Sequence, residues 1–390
     1  MAENVLVEKF KEGYSSVFEE NWPFWVGGVL LAFLGVLSFA WGRPWGVAGG
    51  LRVWGDWILY GVGVYSHAPR RALFFSDPAI LTWGLLFGAF GSALLSRQFA
   101  LRLAPAWELL KGLVGGSLMG IGAVMAGGCN VGGFYTALAA GSVSGFAMML
   151  GLIIGAIIGL KYLLWEIEHI NTSAPKAGKD KSGGVDWSKV QPWLGATVFA
   201  FLILWAWCLS YRALTHYGVL MLIAAGIGLV IQRVRFCFVR AFRDPFMTGE
   251  AVGTRAVAIS VMLSFVGFMI IKWSGLRPEM TYVYHHWIGG LVGGVVFGVG
   301  MLLAGGCGSG SVWRAGEGHV KLIIAVVAFA LANSLFKSYV FTSEVAKSWG
   351  TPMFLGELGY FWAILIMCAV MIAWWAIMAW NEETDTLTMV

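Results

Sequence analysis

The chain of 390 residues is 58% hydrophobic and 12% charged, and it contains 54 glycines and 21 tryptophans. Soluble globular domains carry about 25% charged residues, so this composition excludes an ordinary water-soluble protein and predicts one that resides in the lipid bilayer. The net charge of +5 is too modest to indicate nucleic acid as a partner.

The first predicted element is a polar segment, residues 1–21, rich in Glu and Lys. It lacks the apolar core of a cleavable signal, and we expect a polar or surface-lying helix. Eight apolar runs follow, each about as long as a bilayer span, and several begin or end at tryptophan, which favours the membrane interface. They are residues 22–41, 78–95, 145–165, 192–210, 217–232, 256–272, 320–341 and 361–380.

A polar stretch, residues 166–191, is predicted to be a linker because it combines Pro, Gly, Ser and Lys. It separates a first membrane repeat, residues 22–165, from a second, residues 192–380, with a tail at 381–390. Basic residues near helix ends indicate cytoplasmic loops. The candidates are Arg97, Arg102 and Lys111, and then Lys176, Lys179, Lys181 and Lys189.

Each half contains one copy of a glycine-rich segment. Residues 112–133 and 290–311 are identical at 12 of 22 positions with a constant offset of 178. Such duplication predicts two related halves, so we expect an all-α polytopic membrane protein built from two pseudo-symmetric repeats. Glycines recur every fourth residue on one helix face, which favours close helix packing. They are Gly112, Gly116 and Gly120 in one copy and Gly290, Gly294 and Gly298 in the other.

Both copies end in Gly-Gly-Cys, which predicts a broken or re-entrant helix. Unwound backbone is tolerated in lipid only where protein buries it or where it lines a cavity. A helix that restarts after the break turns its amide groups toward the break and favours an anion there. We therefore expect the breaks to meet near the bilayer centre and to form a binding and translocation site. Its predicted residues are Gly127, Gly128, Cys129, Asn130, Gly305, Gly306, Cys307 and Gly308.

The five cysteines form no C-x-x-C pair, and no Cys/His spacing matches a zinc site. Neither a metal nor another cofactor is therefore predicted. Cys208 and Cys368 lie within plain apolar runs and are interpreted as packing residues. Cys129 and Cys307 occupy equivalent positions, and Cys237 lies in an arginine-rich run, so these three are the candidate functional thiols.

Four arginines accompany the candidate thiols: Arg235, Arg240 and Arg243 around Cys237, and Arg314 after the second Gly-Gly-Cys. Two interpretations stay open. The arginines either anchor a loop at the membrane face or form an electropositive mouth that gathers anions.

Three segments together resemble the signature segments of the YeeE/YedE family of bacterial inner-membrane proteins. They are MAGGCNVGGFYTAL (125–138), RFCFVRAFRDPF (235–246) and LAGGCGSGSVWRAGEGHV (303–320). The mid-chain linker and the third segment look most like the YedE branch. The resemblance implies a two-repeat helical fold, uptake of thiosulfate, a link to selenium in the YedE branch, and functional cysteines at Cys129, Cys237 and Cys307. The chain departs from YedE-like proteins at Gly308-Ser309-Gly310, where bulkier polar residues are common, and this departure bears on the choice of substrate.

Weak contacts suggest a mechanism for thiosulfate transport. Conduction requires sites that bind well enough for entry and weakly enough for exit, and protonated thiols in series meet that condition. A dianion entering a negative-inside cell works against about 2.3 kcal/mol per charge per 100 mV. We therefore expect a cytosolic sulfur-carrier (sulfurtransferase-like) protein to consume the cargo, and no enzymatic activity in the chain itself. The alternatives are transport of a selenium compound by the same path, a membrane thiol-disulfide oxidoreductase, and a docking scaffold for a sulfurtransferase.

Overall fold

In the computed structural model, residues 8–9, 11–170, 187–284, 287–342 and 349–389 are described. All the regular elements in these ranges are helices. Ten helical stretches in this part of the chain are long and apolar enough to cross a membrane. They are the eight apolar runs of the sequence and the two glycine-rich copies. The predicted class, an all-α polytopic membrane protein, is therefore confirmed.

Long helices form most of the bundle. They are α1 Phe24–Trp41, α3 Asp77–Leu95, α4 Ala106–Met125, α6 Ser144–His169, α7 Trp187–Tyr211, α8 Thr215–Val234, α10 Val252–Trp273, α11 Trp287–Ala304, α13 Val320–Thr342 and α14 Tyr360–Thr384. Short helical turns at Ser15–Glu19 and Leu355–Leu358 precede α1 and α14, and four other short helices lie between the long ones. They are α2 Ala48–Gly61, α5 (a wide π turn, Asn130–Thr136, continued by Ala137–Ala139), α9 Phe238–Met247 and α12 Gly308–Gly316. Helix α2 was not predicted, because its Arg52 and Asp56 interrupt the apolar pattern.

The glycine stripes are helix-packing surfaces, as predicted. A Cβ atom added at Gly116 would lie 2.3 Å from the carbonyl oxygen of Ala325, so α4 and α13 touch backbone to backbone. A Cβ atom at Gly294 would lie 2.7 Å from the carbonyl oxygen of Met148, which places α11 equally close to α6. Residues with side chains could not fill these positions without separating the helices.

The two glycine-rich helices cross each other in opposite directions. Gly115 of α4 lies against Gly300 of α11, and Gly122 lies against Gly293. Helices α4 and α13 run parallel to each other, and so do α6 and α11. The two pairs are equivalent, because α4 and α11 each contain one of the glycine-rich copies. Two related halves inserted in opposite directions would make these contacts, although the two-repeat organisation itself remains a prediction.

The bundle has two ends, named here after one arginine at each. At the Arg314 end, Lys321 binds Glu108 at 2.5 Å, and Arg102 contacts the His319 ring at 3.2 Å. At the Arg43 end, Arg277 donates to the carbonyl oxygens of α1's last residues.

Two basic residues that were predicted in loops lie in helices instead, Lys111 in α4 and Lys189 at the start of α7. Lys111 is buried in α4, where its ammonium binds Glu166 at 2.6 Å and Glu108 at 2.5 Å. The expectation that it marks a cytoplasmic loop is therefore wrong. Lys176, Lys179 and Lys181 lie outside the described residues, and the predicted linker region includes the end of α6 and the start of α7.

The outer helices α7 and α14 expose most of their apolar surface. Cys208 on α7 is exposed and Cys368 on α14 is half-buried. The interpretation of Cys208 as a packing residue is wrong, since its side chain is exposed on the outer surface of the bundle.

Candidate functional site

Four short helices begin at one place in the middle of the bundle. Val47, Cys129, Cys237 and Cys307 each directly precede one of them, α2, α5, α9 and α12 respectively. A short helix directs its unpaired N–H groups and its positive dipole end toward the residue before it. The centre of this protein is thus surrounded by helix N-termini, which is the arrangement that binds anions elsewhere.

The first turn of α12 shows how closely these ends meet. A Cβ atom at Gly308 would lie 3.3 Å from a methyl group of Val47 and 3.5 Å from the Cys129 sulfur. A Cβ atom at Gly310 would lie 2.8 Å from the Cys237 sulfur and 3.1 Å from the Cys307 sulfur. The structure therefore brings together the three cysteines that the sequence singled out, around two glycines that leave room for them.

The Gly-Gly-Cys motif produces the same backbone turn twice. Helices α4 and α11 end in left-handed glycines, Gly127 (φ +77°) and Gly305 (φ +79°), a conformation that favours glycine. The backbone then extends at Cys129 (φ −67°, ψ −177°) and at Cys307 (φ −77°, ψ −179°) before the next helix begins. The predicted helix breaks are present at both sites.

Cys237 and Cys307 are in direct contact, with 3.7 Å between the two sulfur atoms. The Gly310 N–H donates to the Cys307 sulfur at 3.2 Å, so this side chain caps α12. Neither thiol is more than 3% exposed. The close sulfur pair therefore joins Cys307 to Cys237 and not to Cys129, its equivalent in the first glycine-rich copy.

Asn130 is the buried polar side chain of the site. It is fully buried, and it lies alongside the Cys307 sulfur. Neither its amide nitrogen nor its amide oxygen has a hydrogen-bond partner of good geometry among the described residues. Leaving such a group unpaired costs about 1–3 kcal/mol, so a polar ligand at this position would recover free energy.

A cavity of about 250 Å³ leads from the Arg43 end to Cys129. Its wall includes Gly127, Gly128 and Gly132 and four basic side chains. The basic residues are Arg43, Arg52, Arg71 and Lys337. The lining contains no carboxylate among the described residues.

The electrostatics of this cavity favour an anion. Burial, and then the charges of Arg43 and Arg52, lower the pKa of the Arg71 guanidinium from its ordinary value. Guanidinium groups nevertheless stay protonated, so the lowered pKa reports like charges held close together. This basic cluster was not predicted from the sequence. The one signal was Arg43-Pro44 between two tryptophans, which resembles none of the cysteine motifs.

A second cavity, of about 610 Å³, opens at the Arg314 end. All four arginines predicted to attract anions line it, but so do Asp244 and Glu250. Arg240 and Arg243 bind Asp244 at 2.9 and 2.7 Å. Of the two interpretations left open for these arginines, the electropositive mouth is weakened, because Asp244 neutralises much of its charge.

Arg235 and Arg314 differ within this cavity. Arg235 binds the buried Glu317 at 3.1 Å. Arg314 donates to the carbonyl oxygen of Gly305 at 3.0 Å, and none of the ion pairs among the described residues includes it. Arg314 is thus the cation here that is available to a passing anion, and it also caps the end of α11.

Glu317 organises the wall beside Arg235. The carboxylate is fully buried, accepts a hydrogen bond from Gln232 at 2.8 Å, and lies 3.7 Å from the His319 ring nitrogen. Burial alone would raise the pKa of Glu317, but His319, the Arg235 charge and Gln232 together hold it below its usual range. Glu317 is therefore a structural anion that fixes Arg235.

Comparison with known proteins identifies the family of this chain. The family described as Sulphur transport matches residues 2–158 and 233–388. The chain is 28% identical to the "Probable transporter YedE" of Salmonella typhimurium over 90% of this chain and 91% of that protein. It is 33% identical to the "Thiosulfate transporter TsuA" of Escherichia coli over 30% of this chain and 33% of that protein. It is also 34% identical to the Spirochaeta thermophila protein of the same name, over 36% of this chain and 43% of that protein.

The two matched segments cover most of the chain and contain all three converging cysteines, the two Gly-Gly-Cys turns and the arginine cluster. The sequence resemblance to YeeE/YedE proteins is confirmed, and this chain belongs to the Sulphur transport family.

Proposed function

We propose that this chain carries thiosulfate inward across a bacterial inner membrane, with Cys129, Cys237 and Cys307 as successive contact points. The observation that carries the proposal is the convergence of three thiols and one unpaired amide at four helix N-termini, between two cavities lined by arginine. Relatives of this chain are named thiosulfate transporters, which supports a small sulfur anion as the cargo.

The route begins in the cavity at the Arg43 end. Its four basic side chains, of which Arg52 pairs with Asp56 at 3.7 Å, raise the local concentration of anions, and Cys129 forms part of its inner wall. Beyond Cys129 lies Gly308. Because glycine has no side chain, few atoms separate the Cys129 sulfur from the other two thiols. The Cys237–Cys307 pair follows, and the cavity with Arg314 lies at the opposite end.

The chemistry of these contact points suits an ion with one soft sulfur and three oxygens. Thiol groups offer weak S–H donors to the terminal sulfur, while N–H groups of the helix N-termini and the Asn130 amide bind the oxygens. No single contact is strong, so the ion exchanges readily between neighbouring sites. The sulfurs are shielded from solvent in this structure, so passage requires them to separate as the ion enters.

The membrane potential opposes entry of an anion into the cell by about 2.3 kcal/mol per charge per 100 mV. Uptake of a dianion therefore proceeds only if the ion is removed on arrival. A cytosolic sulfurtransferase-like carrier that takes the outer sulfur would remove it.

The cysteine series tests the relay. Cys129→Ala, Cys237→Ala and Cys307→Ala should each abolish growth on thiosulfate as sole sulfur source in cells lacking other sulfate-type importers, because each removes one station. Cys208→Ala and Cys368→Ala are the matched controls, since both side chains lie on outer helices, and they should grow normally. Equal growth of all five variants, at equal membrane levels, contradicts the relay.

Cargo is tested with purified protein in proteoliposomes. Labelled thiosulfate should enter faster than sulfate, selenite or sulfide, because it alone combines a terminal sulfur with three oxygens. Preference for selenite would favour the selenium alternative. Absence of any uptake, together with binding of a sulfurtransferase, would favour the docking scaffold.

A further inference from the structure

The Cys237–Cys307 pair has a geometry that simple anion relay does not require. Its sulfurs lie 3.7 Å apart, and a disulfide bond is about 2.05 Å long. The gap to close is therefore roughly 1.7 Å, within reach of side-chain rotation and a small shift of either loop. The third thiol, Cys129, is placed differently, because it contacts Gly308 while the pair surrounds Gly310.

We propose that Cys237 and Cys307 form a reversible disulfide that closes the passage, and that a polythionate, an anion with an internal S–S bond, is the class of oxidant that forms it. The access route rests on the proposed function, because both thiols are buried and an oxidant must enter as the cargo does. A polythionate ends in the same sulfonate oxygens as thiosulfate, so the same N–H groups would bind it.

The bond changes balance with tetrathionate as the oxidant. The Cys307 sulfur attacks one sulfur of the central S–S bond, loses its proton, and expels one thiosulfate, which leaves the other thiosulfate bonded to Cys307 as Cys–Sγ–S–SO3⁻. The Cys237 sulfur then attacks the Cys307 sulfur, loses its proton, and expels the second thiosulfate. Two thiols are oxidised to one disulfide, and one tetrathionate is reduced to two thiosulfates with release of two protons.

The contacts favour Cys307 as the first nucleophile. Its sulfur accepts the Gly310 N–H at the N-terminus of α12, an environment that stabilises negative charge on sulfur. Cys237 precedes a different helix, α9, and no side-chain cap holds its sulfur there. Cys237 is thus free to turn toward the adduct as the resolving thiol.

A disulfide here would have a direct effect on the passage. It would join the start of α9 to the start of α12 and remove both S–H donors from the centre. The sulfurs could no longer separate to admit an ion. Polythionate in the surroundings would then shut off the uptake of thiosulfate until a reductant restored the thiols.

The chemical step is tested in the full chain with the two outer cysteines removed, Cys208→Ala/Cys368→Ala. Purified protein is treated with tetrathionate, denatured, alkylated with N-ethylmaleimide and mapped by tryptic mass spectrometry. A peptide pair joined through Cys237 and Cys307 is expected in this background and in its Cys129→Ser variant, but not in its Cys237→Ser variant. A link through Cys129, a persistent adduct on a single cysteine, or three alkylated thiols overturns the proposal.

The transport step uses the same background in proteoliposomes. Tetrathionate should abolish thiosulfate uptake, and dithiothreitol should restore it. Uptake that continues after the disulfide has formed overturns the gate. Absence of uptake before any oxidation contradicts the proposed function instead. The mass-spectrometric mapping then still decides whether the disulfide forms. Size-exclusion profiles of each variant confirm that the tested protein is folded.

Discussion

At the residue scale, the backbone in front of each cysteine decides where its side chain lies. Cys129 and Cys307 follow left-handed glycines and begin new helices, so their sulfurs point into the centre. Cys208 lies in the last turn of α7, with no helix break before it, and is exposed. The arginines divide in a similar way, because Arg235 is held by a buried carboxylate whereas Arg314 binds a backbone carbonyl.

The Glu317 carboxylate predicts a specific acid sensitivity. Its pKa in the folded protein is lowered, so the carboxylate contributes stability above the unfolded-state pKa of about 4.3, and that contribution is lost as the pH falls through the folded-state value. Thermal unfolding in detergent should therefore show that the wild type is more stable than Glu317→Gln at neutral pH, with the difference shrinking below about pH 4. A difference that stays constant between pH 7 and pH 3 would contradict this assignment.

At the scale of elements, the short helices α2, α5, α9 and α12 define the site and the glycine stripes hold it in place. The stripes bring α4 against α13 and α11 against α6 at backbone contact. This close packing fixes where α4 and α11 end, and hence where Cys129 and Cys307 lie. Separation of these helices by even a methyl group would shift the helix breaks relative to each other.

Gly116→Ala tests this packing. Its new methyl group would fall 2.3 Å from the Ala325 carbonyl oxygen, an overlap with backbone that cannot relax locally. Overpacking of this kind costs about 1–3 kcal/mol, and we expect a clearly lower unfolding temperature in detergent.

The matched control is Gly226→Ala in α8. Its methyl group would meet only a leucine side chain at 3.7 Å, and alanine is the better helix former by about 1 kcal/mol. This variant should be as stable as the wild type or more so. If both variants unfold alike, close backbone contact does not hold the bundle together.

At the scale of the whole molecule, two cavities approach one shielded centre from opposite ends. The cavity at the Arg43 end reaches Cys129, and the cavity at the Arg314 end contains the paired arginines. Helices α4 and α11 run in opposite directions between these ends. A molecule arranged in this way can admit an ion from one end and release it at the other.

Sidedness of labelling tests this arrangement. In sealed vesicles, a variant whose single cysteine is Cys129 should react with an anionic methanethiosulfonate from the same side as a Ser66→Cys marker, because Ser66 is exposed at the Arg43 end. A Thr248→Cys marker reports the opposite end. If Cys129 reacts from the same side as Thr248→Cys, the cavity at the Arg43 end is not its access route.

The sequence by itself determined the helical membrane class, the helix breaks and the three cysteines, because apolar runs, paired glycines and left-handed turns are local properties of the chain. It could not show that Cys237 touches Cys307, since 70 residues separate them and only tertiary packing brings the starts of α9 and α12 together. It also could not show that Asp244 neutralises two arginines, or that Arg43, Arg52 and Arg71 surround the entrance to Cys129. Charge pairing and cavity walls depend on neighbours distant in the chain, and tertiary packing alone selects those neighbours.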